Sequence, residues 1–363
     1  MKLFLTVYLL LVFVYLIAFI YYKAQTQKAI LIPKPLISSL PSKTDNSIFT
    51  PSLTIDKIFQ TDHSWTATFS AQKLTRLLAT GDVIPSRSVN FNTIQVNDFT
   101  WAYKNTAHIL KDADITFINL ESPLLDNCPV SNEGMIFCGN KRHAEGLIYA
   151  GVDIVNLANN HLGNYGLDGI TETKKILDQY HILYTGAHRP VLATFNQQVF
   201  AFLGYNLIGY REDGLSWADY ELIKKDIQQL KNKTDIIIVA FHWGTEYTSQ
   251  PTQEQIELGH FTIDNGADLV IGNHPHWIQP VEIYKQKAII YAHGNFIFDQ
   301  MWSEKTQEGI IGRYLFFEDK LIDIEFLPIK IRDYGQPYIL SGDEKTRILE
   351  EMKIESLRLS NRV

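Results

Sequence analysis

Between Leu74 and Asp299 the chain repeatedly sets a short apolar run against a polar or glycine-containing tip, with helix-like stretches between several of the runs. The runs cover residues 74–79, 114–118, 153–158, 198–205, 235–241, 267–271 and 288–292. Each is short and mostly apolar, the pattern of a buried strand. Helices are predicted over 101–110, 169–180, 220–230 and 252–265. Strands alternating with helices point to an α/β sheet protein. Residues 314–317 and 321–327, joined by Glu318-Asp319-Lys320, read as a closing β-hairpin, and the charged stretch from Asp343 as a terminal helix. Trp65 to Phe69 alternates like one more strand.

The stretch GVDIVNLANNHLGNYGLDG at 151–169 displays the pattern most plainly. A buried strand gives way within one residue to Asn159, Asn160 and His161, and Gly163 and Gly166 let the backbone turn into a helix that runs to about Tyr180. The other tips are Thr80-Gly81-Asp82, Asn119-Leu120-Glu121, His242-Trp243-Gly244, Gly272-Asn273-His274-Pro275-His276, and His293-Gly294-Asn295 with Asp299 just beyond. One His at a strand end is usually a hydrogen-bonded structural residue. Recurrence changes that, because a doubly wound sheet brings the carboxyl ends of its strands to one edge. Asp82, Glu121, Asn160, His161, His242, His274, His276, Asn295 and Asp299 are therefore expected to converge. Imidazole, carboxylate and amide donors without thiolate suit divalent Zn, Mn or Fe. There are more donors than one tetrahedral ion needs, so two ions sharing a carboxylate are expected. Such a pair, about 3.5–4 Å apart, activates water and clamps the oxygens of a phosphoryl group. An uncoordinated His then serves as general acid.

Outside this region the sequence is simpler. Leu3 to Tyr22 carries no charge over twenty residues, enough at ~1.5 Å per residue to cross a ~30 Å hydrocarbon layer. A cleaved signal peptide would want a shorter apolar region and a small-x-small site, so an uncleaved transmembrane anchor over 1–23 is expected. Residues 24–51, with Pro33, Pro35, Pro41 and Pro51, read as a linker. The domain is expected over 52–345, with a tail over 346–363. The net charge of −7 argues against nucleic acid as a partner. Cys128 and Cys138 are the two cysteines. Across so short a loop they suit a disulfide, and with it an extracytoplasmic domain at the cell membrane.

The motifs GDVIPSR (81–87), NLESPL (119–124), LANNHLGNYG (157–166), HWGTEY (242–247), GADLVIGNHPHWIQPVE (266–282) and GNFIFDQ (294–300) together resemble the CapA family of capsule, or poly-γ-glutamate, synthesis proteins. That family looks like a branch of the calcineurin-like metallophosphatases. The resemblance spans about 74–312 and implies a four-layer α/β/β/α sandwich. It implies Asp82 and His276 on a first metal ion, Asn160, His242 and His274 on a second, Glu121 bridging, and His161 as the uncoordinated catalytic His. Two departures stand out: Ile84 occupies the place of the His in the first motif, and Glu121 replaces an Asp. Asn164 and Asn273 stand where Asp and His are common in the family.

Arg87, Asn119, Trp243, Glu246, Asn295 and Asp299 are expected to touch substrate or support the ligands; Trp243 and Trp277 suit either a cleft wall or the core. The remaining histidines, His63, His108, His143, His181, His188 and His260, read as structural or surface residues. Two functions follow from the resemblance. One is a metal-dependent hydrolase of a phosphoester or an amide-linked polymer, beside a capsule synthetase or export complex. The other is a non-catalytic accessory subunit that binds an anionic polymer.

Overall fold

The structure, a computed structural model, describes residues 52–362. The expected anchor over 1–23 and the linker over 24–51 lie outside these residues; among the described ones no helix is long and apolar enough to cross a membrane.

Two mixed sheets form the frame. The first contains β1 (Leu74–Val83), β2 (Ile115–Leu120), β5 (Ile154–Asn156) and β6 (Leu183–Thr185), all parallel, and β1 also pairs in parallel with the short β13 (Asn295–Ile297). On the other side of β1 the chain adds antiparallel β14 (Glu308–Phe317), β15 (Lys320–Arg332) and β16 (Gln336–Ile339). The second sheet runs in the order β11 (Val281–Tyr284), β12 (Lys287–Ile290), β10 (Leu269–Asn273), β9 (Ile236–His242), β8 (Gln198–Asn206), β7 (Val191–Phe195). A two-stranded ribbon, β3 (Leu124–Leu125) with β4 (Gly139–Asn140), stands apart.

The two-residue period of a strand explains the layering. On β9, Ile236, Ile238 and Ala240 join a core shared with Leu77, Phe117 and Ile154 of the first sheet. Ile237, Val239 and Phe241 alternate with them and pack with Ile223, Ile227, Leu258 and Ile263, from helices Tyr220–Leu230 and Gln253–Asn265. Ile118 and Leu120 of β2 likewise face outward, toward Leu147, Ile170 and Leu177 of helices His143–Ala150 and Gly166–Gln179. Helix, sheet, sheet, helix: the four layers expected are present.

Several expectations are corrected. Trp65–Phe69 is not a strand: Ser64–Thr68 forms a 3-10 helix, because the Thr66 and Thr68 hydroxyls donate to the carbonyls of His63 and Trp65, each at 2.8 Å, and draw the backbone into turns. The helix expected over 101–110 is broken into a 3-10 turn at Trp101–Tyr103 and one turn at Ala107–Leu110. The boundary expected at 345 falls inside helix Gly342–Ser360, which buries Ile348, Met352, Ser356 and Leu359; the Ser356 hydroxyl accepts from the Val281 amide of β11. Asn295 is not at a strand tip of the second sheet. After β12 the chain crosses over, and Asn295 opens β13 beside Asp82 of β1. A disulfide joins Cys128 to Cys138, with Cα atoms 5.8 Å apart.

Candidate metal centre

The strand tips meet where the carboxyl ends of β1, β2 and β5 approach those of β9 and β10. Asp82 reaches this point through a bulge. Ala79 pairs with Phe117 and Asp82 with Asn119, so β1 carries one more residue than β2 over that interval. Gly81 makes the bulge feasible: a Cβ there would lie 2.2 Å from the Gly294 carbonyl oxygen. On the facing sheet His242 and Asn273 are paired at the ends of β9 and β10. His274 and His276 follow with φ of 99° and 57°. Positive φ is strained for a residue with a Cβ, and strain of this kind gathers at functional sites.

The side chains of Asp82, Glu121, His242, His274 and His276 are all buried. Asp82 accepts from Asn119 Nδ2 at 2.8 Å and from the His274 amide at 3.3 Å, and lies 3.2 Å from His276 Nδ1. His276 Nδ1 is also 2.9 Å from Asn295 Oδ1. His242 Nε2 lies 2.8 Å from Asn160 Oδ1 and 3.4 Å from Glu121 Oε1. Glu121 is the exception in this network: neither carboxylate oxygen has a hydrogen-bond partner, and His274 Nδ1 has none either.

Charge follows from burial. Desolvation drives the Glu121 carboxyl well above its usual range, and the neighbouring Asp82 charge adds to it. The same desolvation acts on Asp82, but the hydrogen bonds from His276 and Asn119 oppose it and hold Asp82 below the usual carboxylate range. Burial lowers His274 to about 3 and His242 well below its usual value, which keeps both rings neutral and able to donate a lone pair.

Two trios of donor atoms, Glu121/His242/His274 and Asp82/Glu121/His276, each lie within 4.8 Å of one another and share Glu121; Glu246, exposed at the rim, forms a third with His274 and His276. A buried carboxylate with no donor on either oxygen, beside the neutral imidazoles of His242 and His274, is a chemical fit for a divalent cation. Ile84 supplies nothing to it, being packed in an apolar cluster with Phe137 and Phe298.

His161 stands beside the trios. Asn164 Oδ1 accepts from the Phe137 amide at 2.7 Å, which identifies that atom as the carbonyl oxygen. His161 Nδ1, 3.1 Å from the same oxygen, must therefore carry the proton, and Nε2 is the unprotonated nitrogen of the neutral ring. Burial lowers this His to about 4, against the opposing pull of Asn164. The Asn159 side chain fixes the tip: Nδ2 donates to the Leu120 carbonyl at 2.8 Å, and Oδ1 accepts from the Leu162 amide at 2.8 Å.

The supporting residues divide. Asn119 and Asn295 contact Asp82 and His276 as described. Trp243 does not wall a cleft. It is fully buried on the outer face of the second sheet, stacked between Phe241 and Tyr291, with Nε1 donating to the Tyr291 carbonyl at 2.9 Å. Arg87 is not a solvated side chain: its guanidinium pairs with the Asp299 carboxylate, donates to the Gly134 carbonyl and lies against the rings of Phe137 and Phe298. His293 bridges the Tyr314 hydroxyl at 2.7 Å and the Gly272 carbonyl at 3.2 Å. His63, His143 and His260 pair with Asp323, Asn90 and Glu282, away from the centre. Sequence reasoning missed Phe137, whose ring centroid lies 4.2 Å from that of His161, and Tyr247, whose ring faces His276 at 6.2 Å. Tyr247 sits inside a quoted motif; Phe137 lies between the cysteines and belongs to no periodic pattern.

Comparison with known proteins matches this chain to capsule proteins. The chain is 26% identical over 303 residues to the capsule biosynthesis protein CapA of Bacillus anthracis, covering 77% of this chain and 73% of that one. It is 28% identical over 271 residues to the PGA biosynthesis protein CapA of Bacillus subtilis, covering 70% of each. A probable polyglutamine synthesis accessory protein of Mycobacterium tuberculosis matches at 25% over 296 residues, covering 70% of this chain and 76% of that one. Among solved structures, a novel phosphatase from Mycoplasma pneumoniae superposes with a TM-score of 0.48 at 18% identity over 73% of this chain and 95% of that one, a score too low to bear on function. The profile of the bacterial capsule synthesis protein family PGA_cap matches residues 76–300, more than half of the 363 residues, and the chain belongs to that family.

Proposed function

We propose that the centre is a divalent-metal hydrolase site of the metallophosphatase kind, acting on a phosphoester or an amide-linked polymer during capsule synthesis. The observation that carries this reading is Glu121, buried at the meeting point of both sheets with two partnerless oxygens among three imidazoles. Asp82, Glu121 and His276 would hold one ion, and Glu121, Asn160, His242 and His274 a second. Bound there, such ions supply Lewis acidity toward a phosphoryl or carbonyl oxygen and make coordinated water acidic. The chain does the rest. Asn164 keeps the His161 proton on Nδ1 and leaves Nε2 as a free lone pair, so Nε2 is the atom that would first take a proton from water and then pass it to the leaving group. Asn119 and Asn295 hold Asp82 and His276 in register. Leu3–Tyr22 would anchor the chain in the membrane, with the disulfide-bearing domain on the extracytoplasmic side, where a relative described as a synthesis accessory protein suggests association with polymer-making machinery.

Ile84 favours a second reading, an accessory subunit that uses the centre to hold an anionic polymer, because it removes one donor from the first ion. Metal analysis and turnover decide between them. The full chain, purified in detergent, is expected to carry Mn, Zn or Fe, and His274→Ala to lose most of it. Turnover of a phosphodiester or of poly-γ-glutamate is expected to fall about 10²–10⁴-fold in His161→Ala with metal retained, the range for losing a general acid. A chain that purifies metal-free and cannot be loaded with Mn or Zn sinks the hydrolase. Full activity in His161→Ala removes the proton donor assigned here.

A further inference from the structure

We propose that Phe137 is a positioning residue for His161, and that the Cys128–Cys138 disulfide holds it in place, so that the redox state of this bond sets the order of the site. The inference rests on the reading of His161 as part of the centre.

Phe137 immediately precedes Cys138 in a loop that, from Asn127 to Cys138, has no helix or strand to hold it. Its two predecessors point to solvent, Met135 at 71% exposure and Ile136 at 68%, whereas Phe137 is buried at 1%. That inward turn makes three contacts with the site. The ring lies 4.2 Å from the His161 ring. The amide donates to Asn164 Oδ1, the oxygen that also fixes the His161 proton on Nδ1. The Arg87 guanidinium lies 4.8 Å from the same ring, and Arg87 in turn donates to Gly134 of the same loop. Asn164 is therefore oriented by the loop, and His161 by Asn164.

The disulfide removes most of the loop's freedom at its two ends. Reduction by a dithiol places two electrons and two protons on the two Sγ atoms as thiols, while the dithiol closes to its own disulfide. The loop is then held by Arg87, the Asn164 contact and the packing of Phe137 against Ile84 and Phe298. Once the Phe137 amide leaves, Asn164 is free to flip its amide, and the His161 tautomer is no longer enforced.

The full chain, labelled with ¹⁵N-histidine and purified in detergent, would be compared in three forms: oxidised, reduced with dithiothreitol, and Cys128→Ser/Cys138→Ser. His161 is assigned with His161→Gln. The oxidised form is expected to give an Nδ1-protonated His161. The other two are expected to give a tautomer mixture at His161 alone, with His143 and His260 unmoved, and hydrogen-exchange mass spectrometry of the unlabelled chain is expected to show at least about tenfold faster exchange of the Phe137 amide. Phe137→Leu, which keeps the disulfide and the amide but removes the ring that seats the loop against His161, Arg87 and Phe298, should let the amide shift off Asn164 and give the same tautomer mixture, and Phe137→Tyr should restore the single form. With metal bound, a phosphodiester assay should show kcat down about tenfold in Phe137→Leu at unchanged KM, as misplacement of a catalytic group does. An unchanged His161 tautomer in Phe137→Leu overturns the proposal, even where the reduced chain unfolds. A tautomer that moves in a chain without turnover upholds it and instead counts against the hydrolase reading.

Discussion

A buried carboxylate with no donor on either oxygen is destabilising wherever it occurs, and at Glu121 the neighbouring Asp82 charge makes it worse. The sign of the pH effect follows. A carboxyl whose folded pKa lies above its ordinary 4.5 takes up a proton on folding, so this group withdraws stability as pH rises from 4.5 toward the folded value. Glu121→Gln removes that penalty. At neutral pH the chelator-stripped variant should melt a few degrees higher than the chelator-stripped parent, while its metal content falls; a lower melting temperature would show that Glu121 is satisfied without an ion. Residue types alone carried much of this reading. That Asp82, Asn160, His161, His242, His274 and His276 converge was legible from their places at strand ends, and the proposed split of Asn160 and His161 into ligand and proton donor came from the family resemblance. Trp243 and Arg87 were not legible, because burial on the far face of a sheet and pairing with Asp299 are facts about neighbours distant in sequence.

At the level of elements, the site depends on irregularities more than on regular strands. The bulge at Thr80–Gly81 turns Asp82 level with Asn119 and Asn295, and Gly81 is the one residue type that fits against the Gly294 carbonyl. Gly81→Ala should lower stability by about 1–3 kcal/mol, the usual range for overpacking. It should also weaken metal binding, because Asp82 must move; calorimetric unfolding and metal titration of the variant test both. Hydrophobic periodicity marked β1, β2, β5, β8, β9, β10 and β12, since each has a face or two to bury. It could not mark β13, three residues long, whose pairing with β1 is decided by the crossover from one sheet to the other. Trp65–Phe69 failed for the opposite reason: alternation was present, but local hydroxyl-to-carbonyl bonds won over a ladder with no partner strand.

Across the whole molecule, the terminal helix Gly342–Ser360 closes the edge of the interior, with Ile348 and Met352 in the core between the sheets. Met352→Ala should therefore destabilise the domain by about 2–5 kcal/mol, as emptying a core position does; a loss below ~1 kcal/mol in denaturant unfolding would mean the helix is dispensable. The sequence by itself determined the class of fold, most of the succession of buried strands, the family and most of the side chains that converge at the centre, because burial periodicity and side-chain chemistry are properties of single residues and their near neighbours. Tertiary structure alone decided that the tips come from two facing sheets rather than one edge, that Asn295 crosses to stand beside Asp82, and that Glu121 is left without partners. It also decided that a disulfide loop reaches over His161. Those outcomes depend on which segments meet in space, and pairwise contact across a hundred or more residues leaves no local pattern in the chain.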